Sequence, residues 1–127
     1  MPEPEESACL QELVGKPLES VTFVVDYVRF QFLDRALSSL SYPTLRINGQ
    51  AITAEEFHYR NELCALIGQT ATAAADEGDT LKITLSNSAE ILVPLMPEPG
   101  YSGEMATMSL TNGVFQHAWL SREKREH

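Results

Sequence analysis

Positive charge is scarce in this chain of 127 residues, which carries 9 Lys and Arg against 18 Asp and Glu and has a formal net charge of −9. A protein that binds the nucleic-acid backbone needs a basic surface to release counterions, so this deficit argues against a nucleic-acid partner. Long apolar runs are lacking as well, because no stretch approaches the roughly 18 residues of a membrane span. We therefore expect neither a nucleic acid nor a membrane as partner.

Cysteine is also rare, and the chain contains only Cys9 and Cys64. Two cysteines are too few for a disulfide scaffold, and two buried, reduced thiols are the favoured interpretation. A Cys9–Cys64 disulfide and a reactive thiol stay open as alternatives. The acidic, proline-rich start, residues 1–5, lacks the positive charge and apolar stretch of a secretory signal, which predicts a disordered leader and a cytoplasmic protein.

Apolar residues make up 43% of the chain, which is enough to form the core of one globular domain over residues 6–120, followed by a charged tail at 121–127. Apolar and polar side chains alternate over residues 27–33 and 80–86, as in a strand with one buried face. The buried positions of these two strands are predicted to be Val28, Phe30, Phe32, Leu81, Ile83 and Leu85. Asn48-Gly49 and Asn112-Gly113 are typical of tight hairpin turns.

Two principal helices are predicted, at residues 6–14 and 53–67, each followed by a glycine that can end it. Thr53 and Glu56 have the spacing of a capping box at the start of the second helix. Its core face is expected to carry Phe57, Cys64 and Ile67. A further short helix is predicted over residues 104–110. The fold class is therefore α+β, mainly antiparallel sheet with two principal helices, and an all-β roll with one helix is the alternative.

The two halves of the chain share a pattern at an offset of 53 residues. Leu13-Val14-Gly15 recurs as Leu66-Ile67-Gly68, and the alternating strands that follow also correspond. This suggests an internal duplication of a helix-plus-hairpin unit, with repeat units 6–47 and 53–95. Convergence of two amphipathic hairpins explains the same pattern, and identities between the halves are few, so both interpretations stay open.

The stretch from Leu66-Ile67-Gly68 through Leu81-Lys82-Ile83-Thr84-Leu85-Ser86-Asn87-Ser88 resembles a pattern in small uncharacterised bacterial proteins that are rich in β-structure. These include immunity-like proteins that are paired with toxins. The resemblance covers about 30 residues, and Asn87-Ser88 stands where Asp-Gly is more usual. It implies a small β-rich binding protein and carries no functional residues across.

Two groups of residues are candidates for a ligand or partner surface. His58 and Glu62 lie four residues apart on the predicted helix and could begin a metal site, but zinc needs three or four ligands and no others are spaced to join them. His117 lies between Phe115 and Trp119 on the predicted last strand. This arrangement could stack on a ligand, or the histidine could be half-buried among the aromatic residues.

No catalytic, cofactor-binding or metal-binding residues are assigned, because the chain has no nucleophile signature and no glycine-rich phosphate loop. The favoured hypothesis is a binding or protein-interaction module without catalytic activity. One alternative is a small-molecule binder with a pocket between sheet and helix, near Phe57, His117 and Trp119. Another is a toxin-immunity-like inhibitor of a basic protein. A homodimer through an edge strand, at residues 36–42 or 114–120, is a further possibility.

Overall fold

The structure is a computed structural model that describes residues 9–96 and 103–121 of the chain. The described residues form ten β-strands and two short helices. Along the chain these elements are α1 (9–11), β1 (Leu18–Val24), β2 (Tyr27–Phe32), β3 (Arg35–Ser39), β4 (Thr44–Ile47), β5 (Gln50–Ile52), α2 (Tyr59–Cys64), β6 (Ala71–Asp76), β7 (Thr80–Leu85), β8 (Glu90–Pro94), β9 (Glu104–Leu110) and β10 (Phe115–Leu120).

The strands form two antiparallel sheets of five strands each. Sheet 1 has the order β1-β2-β3-β9-β10, and sheet 2 has the order β5-β4-β8-β7-β6. Buried side chains of both sheets belong to one hydrophobic core, so the sheets pack with their apolar faces toward each other. The expected α+β fold with mainly antiparallel sheet is thus confirmed, but the predicted helix 6–14 is wrong in its extent, because only 9–11 of its described residues 9–14 are helical.

Period-two alternation decides which face of each central strand is buried. In β2 every second residue from Val28 to Phe32 is buried, and in β7 every second residue from Leu81 to Leu85 is buried. Successive side chains of a strand point to opposite faces, so the polar residues between them lie on the outer face. The predicted buried positions of both strands are confirmed.

The two sheets meet where β1 and β6 begin. Pro17 forms an isolated antiparallel bridge with Thr70. Around this bridge the Gly15 N–H donates to the Ala71 carbonyl at 2.8 Å, and the Gly68 N–H donates to the Leu18 carbonyl at 2.8 Å. Gly15 and Gly68 have φ values of 90° and 100°, which a residue with a side chain rarely adopts. The glycines therefore allow the chain to turn into the strands at this junction.

The hydrogen bonds at this junction follow a local twofold pattern at the offset of 53 residues. The Leu18 N–H donates to the Gln69 carbonyl at 2.8 Å, and the Ala71 N–H donates to the Lys16 carbonyl at 2.9 Å. Donor Leu18 moved forward by 53 residues is donor Ala71, and acceptor Gln69 moved back by 53 residues is acceptor Lys16, so the two bonds are equivalent with the halves of the chain exchanged.

The strand orders follow the same rule. The strands of the first half correspond in order to those of the second half, β1 to β6, β2 to β7, β3 to β8, β4 to β9 and β5 to β10. Exchanging corresponding strands turns the order of sheet 1 into that of sheet 2, read from the other end. The β1–β2 and β6–β7 pairs also share one register, including a shift after their first residue: Ser20 pairs with Gln31 and Ala73 pairs with Thr84. Each half of the chain thus gives a three-stranded meander to one sheet and a hairpin to the other. The duplication of sequence itself stays a prediction.

The segment made of α1 and the turn that follows it connects the two sheets on one side of the core. The Gln11 side-chain amide donates to the carbonyl of Ala74 in sheet 2. On the next residue, Glu12 accepts hydrogen bonds from Arg35 and from Gln116, which belong to sheet 1. Leu10 and Leu13 of the same segment are fully buried. The segment therefore covers one open side of the core.

The predicted helix 53–67 is wrong in its extent, because only Tyr59–Cys64 is helical. The Thr53 N–H does donate to the Glu56 carboxylate at 2.9 Å, which is half of a capping box. However, the Glu56 N–H bonds back to the Thr53 carbonyl at 3.0 Å and closes an isolated turn. The capping residues therefore satisfy a turn that precedes the helix.

The predicted core face of this helix is also wrong. Phe57, Cys64 and Ile67 are exposed, whereas Tyr59, Leu63 and Leu66 are buried. Because the helix begins six residues later than expected, the turns before and after it present their side chains in directions that a continuous helix would not give. The face toward the core is consequently rotated.

The segment 104–110, predicted as a short helix, is strand β9, an inner strand of sheet 1. It pairs with β3 on one side and with β10 on the other. Segment 36–42, expected as a possible free edge, is therefore represented by β3, a central strand. The predicted leader at 1–5 and all but the first residue of the predicted tail at 121–127 lie outside the described residues.

Candidate functional site

A tyrosine-lined contact ties α2 to sheet 1 at the end of β1. Tyr59 is buried, and its hydroxyl donates to the carbonyl of Pro43. Its ring packs edge-on against Tyr42, with ring centroids 6.3 Å apart. The Tyr42 hydroxyl in turn donates to the Val25 carbonyl at 3.1 Å. The turn between β1 and β2 and the first turn of α2 are thereby held together.

Burial raises the pKa of the Tyr59 phenol well above its usual range. The hydroxyl therefore keeps its proton at neutral pH and acts as a hydrogen-bond donor to the Pro43 carbonyl. A buried, satisfied hydroxyl of this kind fixes the orientation of the ring. The start of α2 is accordingly a rigid support for the residues around it.

Arg60 adds a second link between α2 and β1. Its guanidinium lies over the ring of Phe23, 4.6 Å from the ring centroid. Such a cation–π contact contributes about 0.5–1 kcal/mol at an exposed position. The charge of Arg60 therefore sits on an aromatic face.

Two apolar side chains next to this support are almost fully exposed. Phe57 precedes α2 and is 98% exposed, and Val25 lies in the β1–β2 turn and is 92% exposed. The ring of Phe57 contacts that of its neighbour His58, with 5.6 Å between the ring centroids. We call the set Val25, Phe57, His58, Arg60 and Glu62 the α2 surface.

His58 and Glu62 therefore lie at the α2 surface. The Glu62 N–H donates to the His58 carbonyl at 3.0 Å, as expected four residues apart on a helix. The imidazole of His58 lies near the carboxylate of Glu56, with 4.0 Å between His58 Nε2 and Glu56 Oε1. Among residues 9–96 and 103–121, no group of three or more His, Cys, Asp or Glu could hold a metal ion.

Phe115, His117 and Trp119 lie on β10, which is the edge strand of sheet 1. Trp119 is fully buried, and its ring meets that of His117 edge-on with 4.6 Å between centroids. Phe115 pairs with Ser109, whereas His117 pairs with Met108, so the register shifts between them. Because Ser109 and Met108 point to opposite faces, Phe115 lies on the outer face and does not share a face with the other two.

The strand order keeps the two candidate groups apart. The α2 helix contacts β1, whereas β10 is the opposite edge of sheet 1, with β2, β3 and β9 in between. Phe57 points into solvent, while Trp119 points into the core. The structure thus brings His58, Glu62 and Phe57 together at one surface and places His117 and Trp119 elsewhere.

A charged network that the sequence analysis missed connects α1 to sheet 1. Arg35 Nε lies 2.7 Å from Glu12 Oε1, and Arg35 Nη1 lies 2.9 Å from Asp34 Oδ2. Lys16 Nζ lies 2.7 Å from Asp34 Oδ1. The hydrogen bond from Arg35 lowers the pKa of the Glu12 carboxyl, and the hydrogen bond from Lys16 lowers that of Asp34.

Both cysteines are free thiols, so the alternative of a disulfide between them is not realised. Cys9 is buried, and this burial raises the pKa of its thiol to about 11. A thiol of this kind is protonated at neutral pH and is a poor nucleophile. Cys64 is exposed, which differs from the expectation that both thiols are buried.

No helix in the described part of the chain is long and apolar enough to cross a membrane. The chain matches no protein-family model, no curated protein and no solved structure.

Proposed function

We propose that this protein is a binding module without catalytic activity and that it docks a partner protein through the α2 surface. The observation that carries this proposal is the exposure of Phe57, which is 98% exposed, together with that of Val25, which is 92% exposed in the β1–β2 turn. A phenylalanine in this position loses the hydrophobic stabilisation that burial would give, about 1.5–3 kcal/mol for such a side chain. Burial against a partner recovers it.

The support beneath these side chains favours binding. Tyr59, Tyr42 and Arg60 hold the β1–β2 turn and the start of α2 by hydrogen bonds and ring contacts. A partner that docks here does not have to order this framework, so less conformational entropy is lost on association. Aromatic side chains that are presented on such a support commonly provide most of the binding energy of an interface.

Charge favours a basic partner. The chain has a net charge of −9, and the exposed residues Glu55 and Asp26 lie next to Phe57 and Val25, respectively. In the segment around Phe57 the carboxylates of Glu55, Glu56 and Glu62 outnumber the one guanidinium, that of Arg60. Complementary charge would speed association with a basic protein. A toxin-immunity-like inhibitor of a basic protein is the specific form of this hypothesis.

We further propose that the protein works in the cytoplasm of a bacterial cell. Two free thiols, one of them in the core, are compatible with a reducing compartment. The bacterial origin rests on the sequence resemblance.

An ancestral duplication is part of the same proposal. Support comes from the offset of 53 residues, at which Gly15 and Gly68 make equivalent hydrogen bonds to the opposite half. The two Asn-Gly turns hold equivalent places in the strand order, between β4 and β5 and between β9 and β10, although they lie 112 − 48 = 64 residues apart. Under this proposal α1 and α2 are equivalent, and only α2 has gained the exposed phenylalanine.

The test is affinity capture from extracts of the organism that makes the protein, with wild type, Phe57→Glu and the matched control Ile67→Glu. Ile67 is also apolar and exposed, but it lies beyond the end of α2. We expect one basic protein at a fixed stoichiometry that is released by salt, is lost with Phe57→Glu and is retained with Ile67→Glu. Reconstitution with the purified partner then gives the dissociation constant. An empty capture, or one that Phe57→Glu leaves intact, contradicts the proposal.

A further inference from the structure

We infer that His58 makes docking at the α2 surface dependent on pH, because the basic partner binds tightly only while this imidazole is neutral. The inference rests on the proposed function, since it concerns the same surface and the same basic partner. It adds the residue that decides at which pH the surface binds. Histidine is the side chain whose charge ordinarily changes between about pH 5 and 8.

His58 lies directly beside the side chain that a partner is expected to cover. The rings of Phe57 and His58 meet edge-on, with 5.6 Å between their centroids and 72° between their planes. The ring of Phe57 is almost fully exposed, and 41% of the His58 side chain is exposed as well. A partner that covers Phe57 therefore also removes water from the imidazole. Removal of water disfavours the charged form of the ring.

The charge of the partner acts in the same direction. A basic protein brings Lys and Arg side chains to this surface, and like charges repel more strongly where water is excluded. A positive imidazole also reduces the negative charge that attracts the partner. Both effects make the complex with neutral His58 the more stable one.

The nearest charged group favours the opposite state in the free protein. The Nε2 atom of His58 lies 4.0 Å from Oε1 of Glu56, and an opposite charge at this distance stabilises the imidazolium. A cation of the docked partner competes for the same carboxylate. Binding therefore weakens the interaction that holds the proton on His58.

Other ionisable side chains of this surface do not account for a change in this pH range. Carboxyl, phenol and guanidinium groups ordinarily titrate outside about pH 5 to 8. On the segment of His58 and on the elements packed against it, these groups include Asp26, Tyr42, Glu55, Tyr59, Arg60 and Glu62.

The position of His58 allows its side chain to be replaced without disturbing the support beneath it. His58 is the N-cap residue of α2, and its side chain makes no capping hydrogen bond. The bond that it does make in α2 is from the Glu62 N–H to its backbone carbonyl, which any residue supplies. His58→Gln fixes the position as neutral, and His58→Lys fixes it as positive, so the two variants represent the two states of the histidine.

The probe is a synthetic peptide of alternating lysine and leucine that is acetylated and amidated at its ends. No group of this peptide titrates between about pH 5 and 8. The full chain is titrated with it by isothermal calorimetry at about pH 7.5 and at about pH 5.5, in two buffers of different ionisation enthalpy. The difference between the buffers gives the number of protons released on binding. Circular dichroism confirms that each variant is folded.

We expect the dissociation constant of wild type to be about tenfold higher at the lower pH, with release of a proton on binding there. The sign follows from linkage, because the free protein binds a proton that the complex does not hold. For His58→Gln and for His58→Lys the two pH values should give the same constant, with weaker binding by His58→Lys. Neither variant should release protons.

Equal wild-type affinity at both pH values overturns the inference and leaves the proposed docking intact. A pH dependence that persists in His58→Gln does the same. Phe57→Glu separates this result from failure of the proposed function. If the peptide does not bind wild type, or binds Phe57→Glu as well as wild type, the proposed docking is contradicted and the role of His58 falls with it.

Discussion

Single side chains around α2 have roles opposite to those that their spacing suggests. Phe57, predicted on the core face, lies in solvent, whereas Leu63, which was not among the predicted core residues, is completely buried. The difference arises because burial is decided by where the helix begins. Stability and binding are therefore expected to depend on different residues of this short segment.

Substitutions at these two positions should separate stability from binding. Leu63→Ala removes methyl groups from a closed core and should lower the free energy of unfolding by about 2–5 kcal/mol. Phe57→Ala removes a side chain that packs against no core residue and should change it by less than about 0.5 kcal/mol. Urea unfolding, followed by circular dichroism, measures both values. A loss at Phe57→Ala as large as that at Leu63→Ala would show that Phe57 is buried.

At the scale of elements, local sequence predicted the strands best where burial alternates. β2, β7 and the Asn48-Gly49 turn follow from side-chain period and turn chemistry alone, since a hairpin is specified by its own residues. Residues 104–110, Glu-Met-Ala-Thr-Met-Ser-Leu, include several strong helix formers but lie between two strands. Strand propensity depends on the neighbours that a segment finds, so sequence could not predict β9.

The candidate site was predictable only in part for the same reason. His58 and Glu62 were identified because their spacing on a helix is local information. Val25 was missed, because its proximity to α2 depends on the contact of Tyr42 with Tyr59. The network around Arg35 was missed too, because it joins residues from α1, the β2–β3 turn and β10.

The attachment of α1 to sheet 1 should make stability sensitive to acid. The folded pKa values of the Glu12 and Asp34 carboxyls lie below their ordinary values of 4.5 and 3.8. A carboxyl of this kind stabilises the fold above its unfolded pKa, and the contribution is lost as the pH falls through the folded value. We therefore expect the free energy of unfolding to decrease as the pH falls below about 4.5, the ordinary value for Glu12.

Arg35→Gln tests whether these ion pairs cause the loss of stability in acid, since it removes the cation that contacts both the Glu12 and the Asp34 carboxylate. The variant should be less stable than wild type at pH 7 and should lose less stability on acidification. Arg46→Gln is the control, because Arg46 pairs with Glu90 on sheet 2 and not with α1. Denaturant unfolding at a series of pH values measures the difference. Equal acid sensitivity of wild type and Arg35→Gln would contradict the prediction.

At the scale of the whole molecule, each half of the chain completes the sheet of the other. The β4–β5 hairpin of the first half pairs with β8 of the second half, and the β9–β10 hairpin of the second half pairs with β3 of the first. Neither half holds a complete sheet. In one half alone, the apolar face of the three-stranded meander and that of the hairpin would both be exposed to solvent. The core therefore forms only when both halves are present.

This exchange predicts the behaviour of a split chain. Cleavage between Ala54 and Glu55, which are exposed in the turn before α2, gives residues 1–54 and 55–127 without cutting a strand. Each fragment alone should lack cooperative unfolding, and an equimolar mixture should recover the circular dichroism of the intact protein.

Leu45→Asp in the first fragment should prevent recovery, because Leu45 is buried where β4 pairs with Ile91 of β8. Arg46→Asn, at the exposed neighbouring position, should permit it. Cooperative unfolding of residues 1–54 alone as a monomer would mean that the first half forms its own core, and the exchange of hairpins would then not be what stabilises the fold.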